Sequence, residues 1–368
     1  MATGWPMKTT YANGDVYSAS DVNDITGTIN LLTSTTLSRA AGKNVVINGG
    51  MDIWQRGTSI SIAASTAASS STFLADRWQT ATGANQAITV SRQVTGDTTN
   101  LPSIQYATRF QRNSGQTGTG DLRFVQSVES SNAITYAGRA VTLSFYARAG
   151  ANYSATSSRL YATIISGTGT DQNVLGTYTG SSDLIAQYAT LTTTWQRFSY
   201  TATIPTTATE FALYFQFTPT GTAGTNDYFE ITGVQVEQGS TATTFSRAGG
   251  TIQGELAACQ RYYFRFTGPG AYSAYGFGAY GGTTTGYILM DYPVTMRTTP
   301  SSLDYANLAV QLTDGGGPVA VTNLALDQNS LKNQTLLFTV GTAGTAFRPC
   351  RLLNNNNAAG YVGLNAEL

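Results

Sequence analysis

Histidine is missing from all 368 positions of this chain, and several kinds of chemistry go with it. Ser-His-Asp and Cys-His catalysis are excluded, as are the commonest zinc sites, because each needs an imidazole as base or ligand. Cysteine is nearly as scarce, with Cys259 and Cys350 alone. Their spacing fits neither a CxxC motif nor a disulfide framework, so both are expected to be small buried apolar residues. Charged residues make up 11% of the chain, against about 25% in an average soluble domain. The 20 basic and 20 acidic residues cancel and no basic run occurs. Neither capture of nucleic acid nor a polybasic membrane anchor is supported. Arginine outnumbers lysine seventeen to three, which suits planar, hydrogen-bonded pairing better than a freely solvated coat. No run of roughly 18 apolar residues exists and the first ten residues lack an apolar core, so neither membrane insertion nor a signal peptide is expected.

What is present is β-forming. Residues 87–94, 104–112, 122–129, 140–149, 159–165, 197–204, 210–218 and 228–237 are rich in Val, Ile, Thr, Tyr and Phe, and turn-forming clusters such as Asn113-Ser114-Gly115 bound them. Val141, Leu143, Phe145 and Ala147 alternate with polar or amphipathic neighbours, the period of a half-buried strand. Strands in this number predict an all-β protein, a sandwich of two antiparallel sheets. Residues 59–72, mostly Ser, Thr and Ala, read as a long loop or an irregular edge. Residues 252–263, IQGELAACQRYY, form a helix candidate of about three turns, a connector between units. Beyond it the texture changes: 268–286 is rich in Gly and Tyr, and 287–290, 308–312, 319–326 and 336–340 are plausible strands. A second, smaller β unit, itself a compact sandwich, is expected over 264–368.

Near the start, residues 1–19 are irregular. Ser20 is a good helix N-cap, and Asp21 and Asp24 sit where the helix dipole favours negative charge. Val22, Ile25, Ile29 and Leu32 then recur at the a/d spacing of a coiled coil. Isoleucine at both kinds of core position favours three or four strands over two. So short a stripe needs help from a neighbouring domain, and a short amphipathic helix lying on its own domain reads equally well.

The most informative stretch is 44–57, NVVINGGMDIWQRG. Val45, Val46 and Ile47 read as a short β run ending on Asn48-Gly49-Gly50, which supplies the φ > 0 positions of a sharp bend. Asp52, Arg56, Asp76 and Arg77 are ions set among Trp54, Trp78 and Phe73; such ions are expected to be paired structural groups, because an unpaired buried charge costs several kcal/mol. The order of this run, then Ala75-Asp76-Arg77-Trp78, then 237–245 (EQGSTATTF) and Cys259-Gln260-Arg261-Tyr262-Tyr263 resembles the β-sandwich module of bacteriophage tail-fibre and receptor-binding proteins. The resemblance covers roughly residues 41–265. It implies a jelly-roll-like, carbohydrate-binding-module-like sandwich over 41–250, followed by a helical connector over 251–263 and a C-terminal domain over 264–368. It also implies a virion attachment segment over 1–40 docking on phage tail or capsid proteins, a homotrimer, and a virion protein made in the host cytoplasm.

Catalysis is mostly refused by the acid inventory. A glycosidase needs two carboxylates about 5 to 9 Å apart across a cleft. Only six glutamates exist, and Glu230 and Glu237, at odd spacing, fall on opposite faces of a regular strand. Asp227 and Glu230 lie near a turn where they could approach each other. Loops carrying Asp171, Asp183, Asn226 or Asp227 hold oxygen ligands that suit calcium, but no D-x-D-x-D-G loop is present, and neither metal nor cofactor is expected. Sugar binding is the better idea, since aromatic faces with hydroxyl and amide donors work without net charge. Tyr272, Tyr275, Phe277 and Tyr280, in the Gly-rich stretch, are the candidate contacts for a host surface glycan; packing or assembly is the other reading of the same residues. The expectation is a non-enzymatic phage fibre, with a capsid decoration protein and a polysaccharide-cleaving tailspike as alternatives. Light scattering of the intact chain is expected to give a threefold mass that is lost when residues 1–40 are deleted. A monomer at every concentration would remove the self-assembling fibre.

Overall fold

The structure is a computed structural model that describes residues 42–64, 70–83, 86–314 and 316–368. The attachment segment and the stripe Val22, Ile25, Ile29 and Leu32 lie outside the described residues.

Thirteen strands build the first body: β1 (Ser59–Ile62), β2 (Ser70–Phe73), β3 (Gln79–Thr82), β4 (Ile88–Val94), β5 (Tyr106–Arg112), β6 (Leu122–Val128), β7 (Ala140–Ala149), β8 (Arg159–Gly167), β9 (Ser182–Asp183), β10 (Gln187–Thr190), β11 (Gln196–Thr203), β12 (Glu210–Phe217) and β13 (Tyr228–Gln238). One sheet has the order β1-β4-β5-β13-β7-β11; the other runs β10-β8-β12-β6-β3-β2 with β9 against β8, and their pairings are antiparallel. Apolar residues at every second position turn inward and meet between the sheets, as Val141, Leu143, Phe145 and Ala147 of β7 do. Aromatic rings fill the middle: Trp78 stacks on Phe124 at 4.3 Å and Phe145 meets Phe215 edge-on at 5.0 Å. Residues 59–72, read as a loop or irregular edge, contribute the edge strands β1 and most of β2.

The NGG bend differs from its expectation in two ways. Residues 45–47 are not a strand, because side-chain amides take the backbone groups that a ladder would use. Asn44 Oδ1 accepts from the backbone of Val46 and Val236, while the Gln126 amide both donates to Ile47 O and accepts from Ile47 N. The positive φ values belong to Asn48 (57°) and Met51 (55°) rather than to the glycines. Gly49 and Gly50 instead permit close approach: a Cβ on Gly49 would lie 2.0 Å from the carbonyl oxygen of Val234.

The helix Ile252–Gln260 begins at Thr251, whose side chain accepts from Gly254 N at 3.1 Å. It is shorter than the 252–263 expected, because Tyr263 is recruited into a strand. That strand, β14 (Tyr263–Thr267), pairs with β22 (Tyr361–Asn365), which also pairs with β17 (Ser302–Ala306). The remaining strands are β15 (Ala274–Tyr280), β16 (Thr285–Asp291), β18 (Leu308–Leu312), β19 (Val319–Asn329), β20 (Asn333–Val340) and β21 (Pro349–Asn354). They close into a barrel in the order β15-β16-β20-β19-β18-β21, around Ile288, Met290, Leu336, Phe338 and Leu352. A compact sandwich was expected here. Inward and outward residues alternate identically in the two architectures, so only the pairing of β15 with β21 distinguishes them.

The Gly49 contact is testable. Gly49→Ala is expected to cost about 3 kcal/mol or more, since the added methyl meets backbone that cannot move aside. Gly176→Ala, whose Cβ meets nothing within 4 Å, is expected to be near neutral. Urea midpoints of the two variants check the difference.

Candidate functional site

The outer faces of the two sheets are not equivalent. On the first, Leu101, Ile104, Ala107 and Trp195 form a small cluster with Tyr146 and Phe245, and the segment after β13 folds back over Gln235 and Glu237. On the second, the turn Val174–Gly176 and Tyr178 cover Val125 and Ala212, and beside them a cleft of about 770 Å³ stays open. Its floor is built by alternation. Leu160, Ala162 and Ile164 of β8 and Leu213, Phe215 and Phe217 of β12 face the core, which leaves Tyr161, Tyr214 and Gln216 facing outward. Arg123 of β6, Arg159 of β8 and Tyr188 of β10 complete it.

Three tyrosines thus present rings on one surface. Tyr161 and Tyr188 lie 5.3 Å apart at 56°, and the Arg159 guanidinium lies 5.4 Å from the Tyr188 ring. Tyr188 is 58% exposed. The Tyr161 hydroxyl donates to Asp183 at 2.9 Å; burial, that hydrogen bond and the aspartate charge push its pKa up to about 12. Burial likewise holds Tyr214 at about 12. Both remain phenols at neutral pH, donating to Asp183 and Gln216 and keeping lone pairs that can accept. Gln216 bridges Tyr214 to Thr218, and Arg123 is held by Asp121 at 2.7 Å.

The residues singled out from sequence lie elsewhere. Tyr280 points into the barrel, 2% exposed and edge-on to Phe338 at 5.0 Å, so as a glycan contact it is corrected: the ring is core. Tyr275 is half-buried and spends its hydroxyl on Gly360 O and Asn354. Tyr272 and Phe277 are exposed, at 54% and 66%. The cleft of about 170 Å³ beside Phe277 is lined by Gln311, Leu312, Thr313 and Arg351, and by none of the other three aromatics. The structure therefore does not assemble these four into one site. The aromatics it does assemble were missed, although a signal existed: in β8 and β12 an outward tyrosine alternates with inward apolar residues.

The ions near the NGG bend find partners far along the chain. Asp52 pairs with Arg247 at 2.7 Å. Arg56 and Arg77 both reach Glu367, and their guanidinium groups lie 3.4 Å from the Tyr263 ring and 3.6 Å from the Tyr262 ring. Asp76 has hydrogen bonds in place of an ion pair, accepting from the backbone and side chain of Gln55. Gln55 in turn donates to Tyr263 O at 2.7 Å. These contacts join the sandwich to the C-terminal unit.

The carboxylates weighed from sequence as a catalytic pair are each held by a basic partner. Glu230 and Glu237 share a face, contrary to expectation, because a bulge between Thr232 and Gln235, with Gly233 at φ 58°, shifts the alternation by one residue. Both are engaged, Glu230 by Arg109 and Arg148 and Glu237 by Lys43 and Thr243. Asp227 is buried against Arg112 at 2.6 Å. Of the loop acids considered for calcium, Asp171 pairs with Arg297 and Asp183 accepts from Tyr161, and no cluster of three metal-ligating acids or cysteines occurs among the described residues.

No family model matches the chain, and no curated protein does. Solved structures similar to it include a CBM4 module at 20% identity, spanning 52% of this chain and 98% of that one with a TM-score of 0.29. TmCBM61 in complex with β-1,4-galactotriose is 13% identical, over 53% of this chain and 99% of that one, with a TM-score of 0.31. The enzymatically active domain of tailspike protein 4 of bacteriophage CBA120 is also 13% identical, over 53% of this chain but only 21% of that one, with a TM-score of 0.31. Likenesses this distant carry no argument about the ligand, which rests on the geometry above.

Asp76 gives this region a pH dependence. Burial raises its pKa from 3.8 to about 6, against the opposing effects of the Arg56 charge and the Gln55 hydrogen bonds. A carboxylate raised in the folded state stabilises the fold while protonated, so its contribution is complete below 3.8 and is lost as pH rises through about 6. Relative to Asp76→Asn, which cannot ionise, the parent protein is expected to lose up to about 3 kcal/mol between about pH 4 and about pH 7. Urea unfolding of both proteins across that range measures the difference, and parallel curves would remove Asp76 from this account.

Proposed function

We propose that the tyrosine cleft binds a glycan, and that the chain is a non-enzymatic host-attachment protein of a bacteriophage particle. The observation that carries the first part is the convergence of Tyr161, Tyr188 and Tyr214 with Arg123, Arg159 and Gln216 in one open cleft. Flat aromatic faces cover the apolar face of a sugar ring, and the fixed donors and acceptors between them suit its hydroxyls. The cleft contains a single carboxylate, Asp183, already engaged by Tyr161. The common two-carboxylate route of glycoside hydrolysis needs a second, so the cleft suits holding a saccharide better than cutting it.

The second part rests on the ordered motifs of residues 44–57, 75–78, 237–245 and 259–263. In this reading residues 1–40 attach the chain to the virion and align three copies, and the β domains face the host. Three weak sites presented together gain avidity by orders of magnitude without new contacts.

Tyr188→Ala tests the site, because the ring is exposed and its removal leaves the core intact. On an array of bacterial surface glycans the parent protein is expected to select a ligand, and the variant to bind it at least tenfold more weakly with an unchanged melting temperature. No new reducing ends should appear during incubation. Undiminished binding by the variant would place the ligand elsewhere.

A further inference from the structure

A second cleft, of about 570 Å³, opens where β4 and β5 run past the core toward the bend at Asp52 and the start of the helix Ile252–Gln260. It shares no lining residue with the tyrosine cleft. Two guanidinium groups line it. Arg247 binds Asp52 through Nε alone, so its four terminal N–H donors have no partner among the described residues. Arg92 lies over the Tyr106 ring at 4.4 Å, and its side chain donates no hydrogen bond among the described residues.

Other ions of the chain are more fully engaged. Arg112 makes six side-chain hydrogen bonds, and both oxygens of Glu230 and of Glu367 are occupied by arginines. The formal balance in the cleft is one carboxylate, Asp52, against two guanidiniums, with no other acid in the lining. Glu255, in the first turn of the adjacent helix, is buried and accepts from the backbone of Gly249 and Asn48, and its charge acts on Arg247 from outside the lining. The helix N-terminus adds its partial positive charge to the same side. Within the lining the formal surplus is positive, and the terminal donors of Arg247, without a partner among the described residues, have the forked geometry that matches a carboxylate in two parallel hydrogen bonds. Ser103 and Gln105 add neutral polar groups beside it, of the kind that pair with hydroxyls.

We infer that this cleft is a second saccharide site, specific for a sugar that carries a carboxylate. Arg92 and the free end of Arg247 grip the carboxylate, Asp52 fixes the orientation of Arg247, and Tyr106 holds the Arg92 guanidinium flat. The chain then reads two features of a surface polysaccharide: ring shape in the tyrosine cleft and acidic substitution here.

The experiment is calorimetric titration of the full chain with trigalacturonate, with a neutral galactose trimer, acetate and sulfate as parallel probes. Trigalacturonate is expected to bind, with an affinity that falls as salt rises. Arg92→Ala, which removes a half-exposed side chain that donates no hydrogen bond among the described residues, is expected to weaken it at least tenfold. Tyr188→Ala is expected to leave it unchanged. Absence of trigalacturonate binding overturns the inference, as does equal binding by Arg92→Ala. Acetate or sulfate binding as tightly as the trimer would reduce the cleft to a general anion site and overturn it too. If Tyr188→Ala abolishes trigalacturonate binding while Arg92→Ala preserves it, the ligand belongs to the tyrosine cleft, and this inference fails while the proposed function stands.

Discussion

The paired ions at Glu367 hold the two bodies of this molecule together. Its carboxylate takes Arg77 with one oxygen and Arg56 with the other, in surroundings where the Arg77 and Glu367 side chains are 2% and 3% exposed. Withdrawing such charges from water costs several kcal/mol per ion, so the arrangement persists only because every charge is met. Arg77 also donates to Ser127 O at 2.8 Å and lies against Tyr262, while Arg56 lies against Tyr263. The strand containing Tyr263 pairs with the strand just before Glu367, so the register of that small sheet and the ion cluster determine each other. Arg297, bonded to Ala366 O, Glu367 O and Asp171, and Arg261, bonded to Glu129, extend the same seam.

The chemistry left to the protein follows from this use of its ions. The chain has no histidine, and Glu230, Glu237, Glu367 and Asp227 are each held by a basic side chain. In the tyrosine cleft the groups left at the surface are hydroxyl, amide, aromatic and guanidinium.

The bulge in β13 decides which face is available. By shifting the alternation once, it keeps Phe229 and Ile231 on one side of it, and Val234 and Val236 on the other, all directed into the core. It thereby sends Glu230, Gln235 and Glu237 to the same outer face, where arginines, Lys43 and the segment after β13 cover them. The first sheet is closed to ligands over that area. On the second, the turn at Val174–Gly176 covers Val125 and Ala212, and the tyrosine cleft lies open beside it.

Local pattern by itself determined the all-β class, the alternation in β7, β8 and β12, the place of the helix after Thr251, and the scarcity of catalytic groups. Each depends on neighbours a few residues apart or on composition. Three things were decided by tertiary structure alone. The partners of Asp52, Arg56 and Arg77 lie 195, 311 and 290 residues away in the chain, beyond any local rule. The barrel and the sandwich share one periodicity, and only long-range strand pairing separates them. A cleft made from β6, β8, β10 and β12 exists only once the sheet order is set, which is why the Gly-rich aromatics near Tyr280 stood out in sequence while the tyrosines that share a cleft did not.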